Sequence, residues 1–268
     1  MKNKVVVVTG GTSGIGRALA YEFGHHQNKI VITGRNEQKL EDTRQWLLNQ
    51  SIDCLAVVAD VSKEQDNQKM VEKTLDHYGK IDVLINNAGV SMRALFADLQ
   101  LDVFRKVMDI NLMGTVYATK YCLPQIIQNK GSIVGISSIV GYRGTPARSA
   151  YSASKYAMQG FLEVLRTEVM KQGVHVLVAC PGFTASNIRV SSYLADGSAQ
   201  GKSPRQESKL MSAETVAKKV YIGTKKRKRD LIMTTQGKMA VFFNKWIPGI
   251  MDKIVYNHMA KEANSPFK

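Results

Sequence analysis

Apolar positions along this chain come in short blocks whose spacing alternates between two periods. Runs rich in Val, Ile and Leu, as a strand buried on both faces requires, are separated by longer stretches with the three-to-four-residue recurrence of an amphipathic helix. The pattern predicts strands at Lys4–Val8, Lys29–Thr33, Leu55–Ala59, Val83–Ile85, Ser132–Ser137, Val174–Ala179 and Asp230–Met233. It predicts helices at Ile15–Phe23, Glu37–Leu48, Lys63–Tyr78, Leu101–Gln128 and Tyr151–Lys171. Gly24 is the expected stop of the first helix, and Pro124 marks an expected bend near the end of the fourth. Strands separated by whole helices need crossover connections, so the sheet is expected to be parallel, and right-handed crossovers make it doubly wound. The predicted fold is one α/β domain over 1–268, a Rossmann-type doubly wound parallel sheet of about seven strands with helices on both faces.

Two stretches fall outside this alternation. Residues 185–212 are rich in Ser, Gly and Lys without a clear period, and read as a loop or lid over a substrate site. Residues 236–262 mix Phe242, Phe243, Trp246, Ile247, Ile250, Ile254 and Met259 with basic residues, and Pro248-Gly249 breaks the stretch. Three readings of this amphipathic segment stay open: a helix packed over a substrate pocket, an oligomer contact, and an interfacial membrane helix.

Charge sharpens that question. From Gly201 onward there are 15 Lys and Arg against 5 Asp and Glu, so this part carries +10 of the net +15. Its centre is Lys225-Lys226-Arg227-Lys228-Arg229, a run that is either a solvated face or a contact for an anionic surface. No apolar run is long enough to cross a bilayer, and no N-terminal signal precedes the first strand, so a cytoplasmic location is expected. Cys54, Cys122 and Cys180 lack metal or redox spacing and are expected to be buried thiols. His25, His26, His77, His175 and His258 show no ligand spacing, so no metal is expected.

The chemistry begins after the first strand, at Thr9-Gly10-Gly11-Thr12-Ser13-Gly14-Ile15-Gly16. Glycines between a strand and a helix allow a tight turn, a close backbone approach to a pyrophosphate and close helix packing, with the helix N-terminus aimed at the anion. The second strand ends in Gly34-Arg35, where an NAD site usually carries a carboxylate for the ribose 2′-hydroxyl. A guanidinium there suits a 2′-phosphate, which favours NADP(H).

These residues, with others in order after them, resemble the short-chain dehydrogenase/reductase family over roughly Lys4 to Thr184. The family's adenine-pocket pair is matched by Asp60-Val61, its NNAG by Asn86-Asn87-Ala88-Gly89 and its helix-borne Asn by Asn111. Its serine is matched by Ser138, its YxxxK by Tyr151 and Lys155, and its PG by Pro181-Gly182, followed by Thr184. Seven matches in order are far more specific than any single one. The Gly-Arg-Asn context at Arg35 and the loop Ala195-Asp196-Gly197-Ser198 look closest to the branch of 11β-hydroxysteroid dehydrogenase and the animal dehydrogenase/reductases. An N-terminal membrane anchor frequent in that branch is not expected here.

The resemblance implies an NADP(H)-dependent oxidoreductase interconverting a carbonyl and a secondary alcohol. Tyr151 and Lys155 are four apart on one helix face, and the ammonium is expected to lower the phenol's pKa so that Tyr151 works as general acid and base. Ser138 would hydrogen-bond the reacting oxygen; the adjacent Ser137 competes for this role. Lys155 would also bind the nicotinamide ribose, and Asn111 would hold a water between Lys155 and solvent. The expected cofactor-binding set is Gly10, Thr12, Ser13, Gly14, Ile15, Gly16, Arg35, Asp60, Val61, Asn87, Ala88, Gly89, Tyr151, Lys155, Pro181, Gly182 and Thr184. Met92, Phe96, Tyr142, Phe183 and Tyr193 flank the motifs as candidate pocket residues. The expected partners are a lipophilic carbonyl or alcohol substrate and further copies of this chain, a dimer or tetramer formed along the fourth and fifth helices, with no nucleic acid. A cofactor-binding regulator or scaffold without turnover is the competing class, disfavoured by the intact Ser138, Tyr151 and Lys155.

Overall fold

The computed structural model describes residues 1–204 and 210–267. It begins with β1 (Val5–Val8), α1 (Gly14–His25), β2 (Lys29–Gly34), α2 (Glu37–Leu48), β3 (Cys54–Val58), α3 (Glu64–Tyr78) and β4 (Val83–Asn86). There follow α4 (Leu101–Met108), a π-helical turn (Asp109–Met113), α5 (Gly114–Gln128), β5 (Ser132–Ile136), a 3-10 turn (Ile139–Gly141), α6 (Ser149–Glu168) and β6 (His175–Cys180). The chain closes with α7 (Ala213–Lys225), β7 (Asp230–Ile232), α8 (Thr235–Trp246) and α9 (Pro248–Ala260). No helix among the described residues is long and apolar enough to cross a membrane.

The seven strands form one sheet in the order β3-β2-β1-β4-β5-β6-β7, and every pairing is parallel. This is the doubly wound architecture that the sequence predicts. Alternate strand residues feed two cores, because successive side chains in a strand point to opposite faces. Val6, Val8, Ile30, Ile32, Ile85 and Val134 pack against α1, α2 and α7; Val5, Val7, Val31, Leu84 and Ile133 pack against α3, α5 and α6. With both faces covered, the strands read as unbroken apolar runs. Strand order reverses between β1 and β4, so the connections leaving them diverge and open a crevice at the carboxyl ends.

Four local expectations change. Gly24 does not end α1, which continues to His25; it is buried, and a Cβ on it would stand 2.3 Å from Ile52 Cγ2. It is a close-packing residue between α1 and the turn after α2. The predicted helix Leu101–Gln128 is interrupted at the π-helical turn, where the Gly114 N–H reaches back to the Asp109 carbonyl, while α5 runs through Pro124 to Gln128. The lysine-rich stretch before the basic run hides α7: Ser212 caps it by accepting from the Thr215 N–H, and Val216, Ala217, Val220 and Tyr221 bury one stripe. Tyr221 stacks edge-on with Phe23 at 5.3 Å between ring centroids, fixing α7 to α1. Within 185–212, residues 205–209 lie outside the described residues. The remainder is tied down by backbone pairing of Thr184 with Met211 and of Tyr193 with Met92 and Ala199.

The three cysteines are buried and unpaired, as their apolar context suggests. Gly24→Ala is expected to cost about 1–3 kcal/mol through overpacking against Ile52, read as a fall in the urea midpoint at unchanged slope; an unchanged midpoint would show that this contact is not tight.

Candidate active site

One cavity of about 1140 Å3 opens at the carboxyl ends of the strands, on both sides of the β1/β4 reversal. Its floor is the loop from β1 to α1. Gly10 has a φ of +66° and Gly14 of +48°, conformations that glycine adopts without penalty. A Cβ on Gly16 would fall 2.1 Å from the Gly10 carbonyl, so the loop could not fold back on α1 with any larger residue there. Ser13 stands at the N-cap of α1 without a side-chain cap bond, and the first turn holds no acidic residue. The helix therefore presents its first N–H groups and positive dipole end to the cavity, as a pyrophosphate requires. Asn87 braces the loop from the end of β4, donating from Nδ2 to the carbonyls of Thr9 (2.9 Å) and Gly10 (3.1 Å). The Thr9 hydroxyl in turn accepts from the N–H groups of Asn87 and Ala88.

Arg35 is exposed on the cavity rim, and none of the described residues bonds to it. Gly34 beside it lies under Thr12: a Cβ there would be 2.8 Å from Thr12 Cγ2, so a larger residue at 34 would require the Thr12 side chain to shift. Asp60 and Val61 line the neighbouring wall. Asp60 Oδ1 already accepts from the Ser62 N–H and hydroxyl, so the carboxylate shapes its own turn as well as facing the cavity.

Across the crevice stand Ser138, Tyr151 and Lys155. Lys155 is buried, and its Nζ donates to the Ile136 carbonyl at 2.8 Å, at the end of β5. Burial pushes its pKa down to about 8. The ammonium lies 5.9 Å from the Tyr151 ring centroid. Burial raises the Tyr151 pKa, opposed in order by the Ser138 hydroxyl and by the charges of Arg148 and Arg189. The expected lowering of this phenol by Lys155 is therefore not what these surroundings produce: desolvation outweighs every favourable neighbour.

The two serines part company here. Ser137 is buried, accepts from Gln159 Nε2 at 2.8 Å and leans on the Lys155 carbonyl at 3.5 Å. Ser138 carries its hydroxyl beside Tyr151 and accepts a long bond from the Val140 N–H at 3.4 Å. Asn111 sits in the π-helical turn, wholly buried. Its Oδ1 accepts from the Val90 N–H (2.8 Å), and its Nδ2 donates to the Val90 carbonyl and the Ser154 hydroxyl (both 2.9 Å). Ser154 donates in turn to the Tyr151 carbonyl at 2.8 Å. Asn111 thus welds the strand end after β4 to the first turn of α6; Gly89 fits between it and Lys155 because a Cβ would stand 3.1 Å from Asn111 Oδ1. π-turns inside helices concentrate at functional sites, and this one places an amide that a regular helix would aim elsewhere.

Pro181, Gly182 and Thr184 form the far wall, Thr184 donating to the Gly182 carbonyl at 3.1 Å. Of the flanking aromatic and Met candidates, Phe183 lines the cavity. Met92 and Tyr193 pack with Val103 and Val107 in a small separate core, Tyr142 packs on the core beneath α6, and Phe96 is exposed. The C-terminal helices supply a wall that residue patterns alone left open: buried Met251 and Met259 line the cavity with Gly237, and exposed Met239 and Ile254 stand at its rim. Arg148 and Glu262 also line the cavity and pair at 3.4 Å.

A model of the short chain dehydrogenase family matches residues 4–196. The chain belongs to the short-chain dehydrogenase/reductase family. It is 39% identical to dehydrogenase/reductase SDR family member 7B of Mus musculus, over 99% of this chain and 84% of that one. It is 32% identical to the SDR family protein 7-like of Drosophila melanogaster, over 100% and 84% respectively. These relatives lie in the animal dehydrogenase/reductase branch that the loop motifs resemble. Among solved structures, a short-chain dehydrogenase/reductase from Burkholderia phymatum in complex with NAD superposes with a TM-score of 0.84 at 23% identity, covering 93% of this chain and 95% of that one. A short-chain dehydrogenase/reductase of unknown function from Caenorhabditis elegans, solved with cofactor, matches at TM-score 0.66 and 33% identity over 70% and 72%.

The Lys155 pKa carries a stability consequence. Lowered from 10.5 to about 8, it makes the charged form unfavourable in the fold: the penalty is full below pH 8 and fades as pH rises to the unfolded value. Lys155→Met should therefore raise stability at pH 7 by about 2 kcal/mol, being about 3 kcal/mol of relieved desolvation less about 1 kcal/mol for an Ile136 carbonyl left without its donor. Thermal unfolding of both proteins at pH 7 and pH 10.5 checks this; the gain should shrink at the higher pH, and a lower Tm for the variant at pH 7 would overturn it.

Proposed function

We propose that this protein is an NADP(H)-dependent oxidoreductase that interconverts a carbonyl and a secondary alcohol, with Tyr151 as general acid and base and a lipophilic substrate. The observation that carries this reading is the shared cavity: Ser138, Tyr151 and Lys155 line one side of the space whose floor is the glycine loop. The residues fit a nicotinamide dinucleotide, since the Gly10–Gly16 cradle admits no added side chain and the N-terminus of α1 faces it. Gly10 to Gly16 would hold the pyrophosphate, Asp60 and Val61 the adenine, Asn87 to Gly89 and Lys155 the nicotinamide ribose, and Pro181 to Thr184 the nicotinamide end. When bound, the cofactor supplies a hydride to a carbonyl carbon or takes one from an alcohol.

The chain's own part is proton control. In reduction Tyr151 gives its phenolic proton to the carbonyl oxygen while the Ser138 hydroxyl donates a hydrogen bond to the same oxygen. In oxidation Tyr151 takes the alcohol proton back. Burial holds the Tyr151 phenol in its protonated form, the form that donates in reduction. Arg148 and Arg189 lend positive charge to the phenolate that donation leaves. The Asn111 side chain is spent on Val90 and Ser154, so a proton relay past Lys155 would have to use its main-chain carbonyl, which also accepts from Thr115 Oγ1. Arg35, exposed on the cavity rim after a Gly34 that carries no carboxylate, supports NADP(H). The apolar lining from Met239, Phe243, Met251 and Ile254 supports a lipophilic substrate. Exposed Tyr156 and Val164, one turn either side of Gly160 on α6, support a homo-oligomer along that helix.

Fluorescence titration with NADPH and NADH tests the cofactor. NADPH should bind about tenfold to a hundredfold more tightly, the range of one charge-assisted contact, and Arg35→Asp should erase the difference; equal affinities for the wild type would overturn the assignment. Tyr151→Phe should lower kcat for a ketone by at least about a hundredfold with NADPH affinity within about twofold of wild type. A variant that still turns over at the wild-type rate would remove Tyr151 from the chemistry and return the scaffold reading.

A further inference from the structure

The two C-terminal helices leave an apolar face uncovered at the cavity mouth. Met239, Phe242, Phe243 and Trp246 recur along one side of α8, and Ile247, Ile250 and Ile254 continue the face around the corner and onto α9. All seven are exposed, Trp246 to 68% and Phe242 to 60%. The Phe242 ring lies 5.4 Å from Phe243 and 6.4 Å from Trp246, so the aromatic groups form one plate. Met239, Phe243 and Ile254 also line the cavity, which makes the plate its rim. A monomer does not ordinarily leave so large and contiguous a patch in water.

Charge decides what covers it. Residues 235–261 carry Lys238, Lys245, Lys253 and Lys261, all exposed, and a single carboxylate, Asp252, which is paired with Arg143. A second copy of the chain laid on this face would bring the same lysines against these. An anionic bilayer surface instead offers opposite charge directly above hydrocarbon. Trp and Phe favour the headgroup boundary, and each lysine near such a surface contributes about 1 kcal/mol, close to fivefold in partition. Neither helix is long and apolar enough to cross a membrane, so the contact is one of lying on the surface.

We propose that α8 and α9 form a membrane-docking surface that seats the cavity mouth on an anionic lipid bilayer. Bound this way, the opening faces acyl chains, and a lipophilic substrate enters without crossing water; that consequence rests on the function proposed above, while the docking does not.

Co-sedimentation of the purified full chain with phosphatidylcholine vesicles, with and without phosphatidylserine, tests the docking independently of catalysis. The protein should partition onto the phosphatidylserine vesicles, and high salt should release much of it. Phe242→Ser with Trp246→Ser should lower the partition at least tenfold, and Lys245→Gln with Lys253→Gln about twenty-five-fold. These side chains are exposed, so the thermal unfolding of both double variants should match wild type. Trp246 is one of two tryptophans, so its emission should shift to the blue on vesicles, and Trp246→Ser should lose that shift. Three outcomes would overturn the proposal: no partition of wild type, equal partition of both double variants, or a wild-type dimer that Phe242→Ser with Trp246→Ser turns into monomers, which would assign the face to a second copy.

Discussion

A lysine ammonium is buried in this protein, and much of the architecture around the crevice can be read as the means of keeping it there. Desolvating a cation is unfavourable by several kcal/mol unless partners are fixed in place. Lys155 finds one in the Ile136 carbonyl, which is available because β5 ends there and its next residues turn away into the 3-10 segment. The helix that carries Lys155 is held in register by Asn111 and Ser154, and the turn that aims Asn111 departs from regular α geometry to do so. Gly89 is small because Asn111 and Lys155 both approach it. Each of these features is suboptimal alone: a π-turn, a glycine without a side chain to bury, a charged group out of water. Together they are mutually required, which is the expected signature of a site that trades stability for chemistry.

The sheet was legible in the sequence because its strands are covered on both faces and so are written as apolar runs, with glycine loops and helical periods between them. The order of motifs carried one side of the cavity: the motif residues line it, apart from Asn111 behind Gly89, whereas Met92, Phe96, Tyr142 and Tyr193, expected only from their place beside the motifs, do not. What was not legible follows from physics that spacing cannot express. The interruption at Asp109–Met113 is not written in a local period: Asn111 there bonds Val90 and Ser154, both distant along the chain. Gly24 looks like a helix stop in sequence, yet its role is set by Ile52, distant along the chain. α7 is masked by its lysines, since its buried stripe is short and its solvent face dominates the composition. The burial that raises the Tyr151 pKa is hidden for the same reason: a neighbouring ammonium can be counted from i, i+4 spacing, but desolvation is a property of the whole surround.

The C-terminal segment is attached through charge rather than through a large core. Glu262, just beyond α9, is buried between Arg148 at 3.4 Å and Arg93 at 3.7 Å, and Arg93 also donates to the Ala263 carbonyl at 2.7 Å. A buried ionic cluster of this kind is a poor source of net stability, since its desolvation cost offsets its attraction, but it tolerates few alternative arrangements. Arg148 stands at the start of α6, its carbonyl accepting from the Ser152 N–H in the turn that bears Tyr151. The tail that walls the cavity is thereby registered against the helix that carries Tyr151.

That attachment explains why the chain's two positive regions should not be treated as one. The run Lys225 to Arg229 begins at the last residue of α7 and ends before β7, at the amino ends of the strands, where Arg229 is paired with Glu163 and Asp230 and Arg227 donates to the Gly173 carbonyl. The lysines of α8 and α9 lie at the opposite, carboxyl edge, interleaved with exposed aromatic side chains around the cavity mouth. A parallel sheet puts the two ends of every strand on opposite sides of the molecule, so one planar anionic surface cannot engage both regions. The density of charge is greater at the first, but charge alone gives a contact that salt screens. Only the second couples cations to apolar area, and only there does binding a surface change what the cavity opens onto.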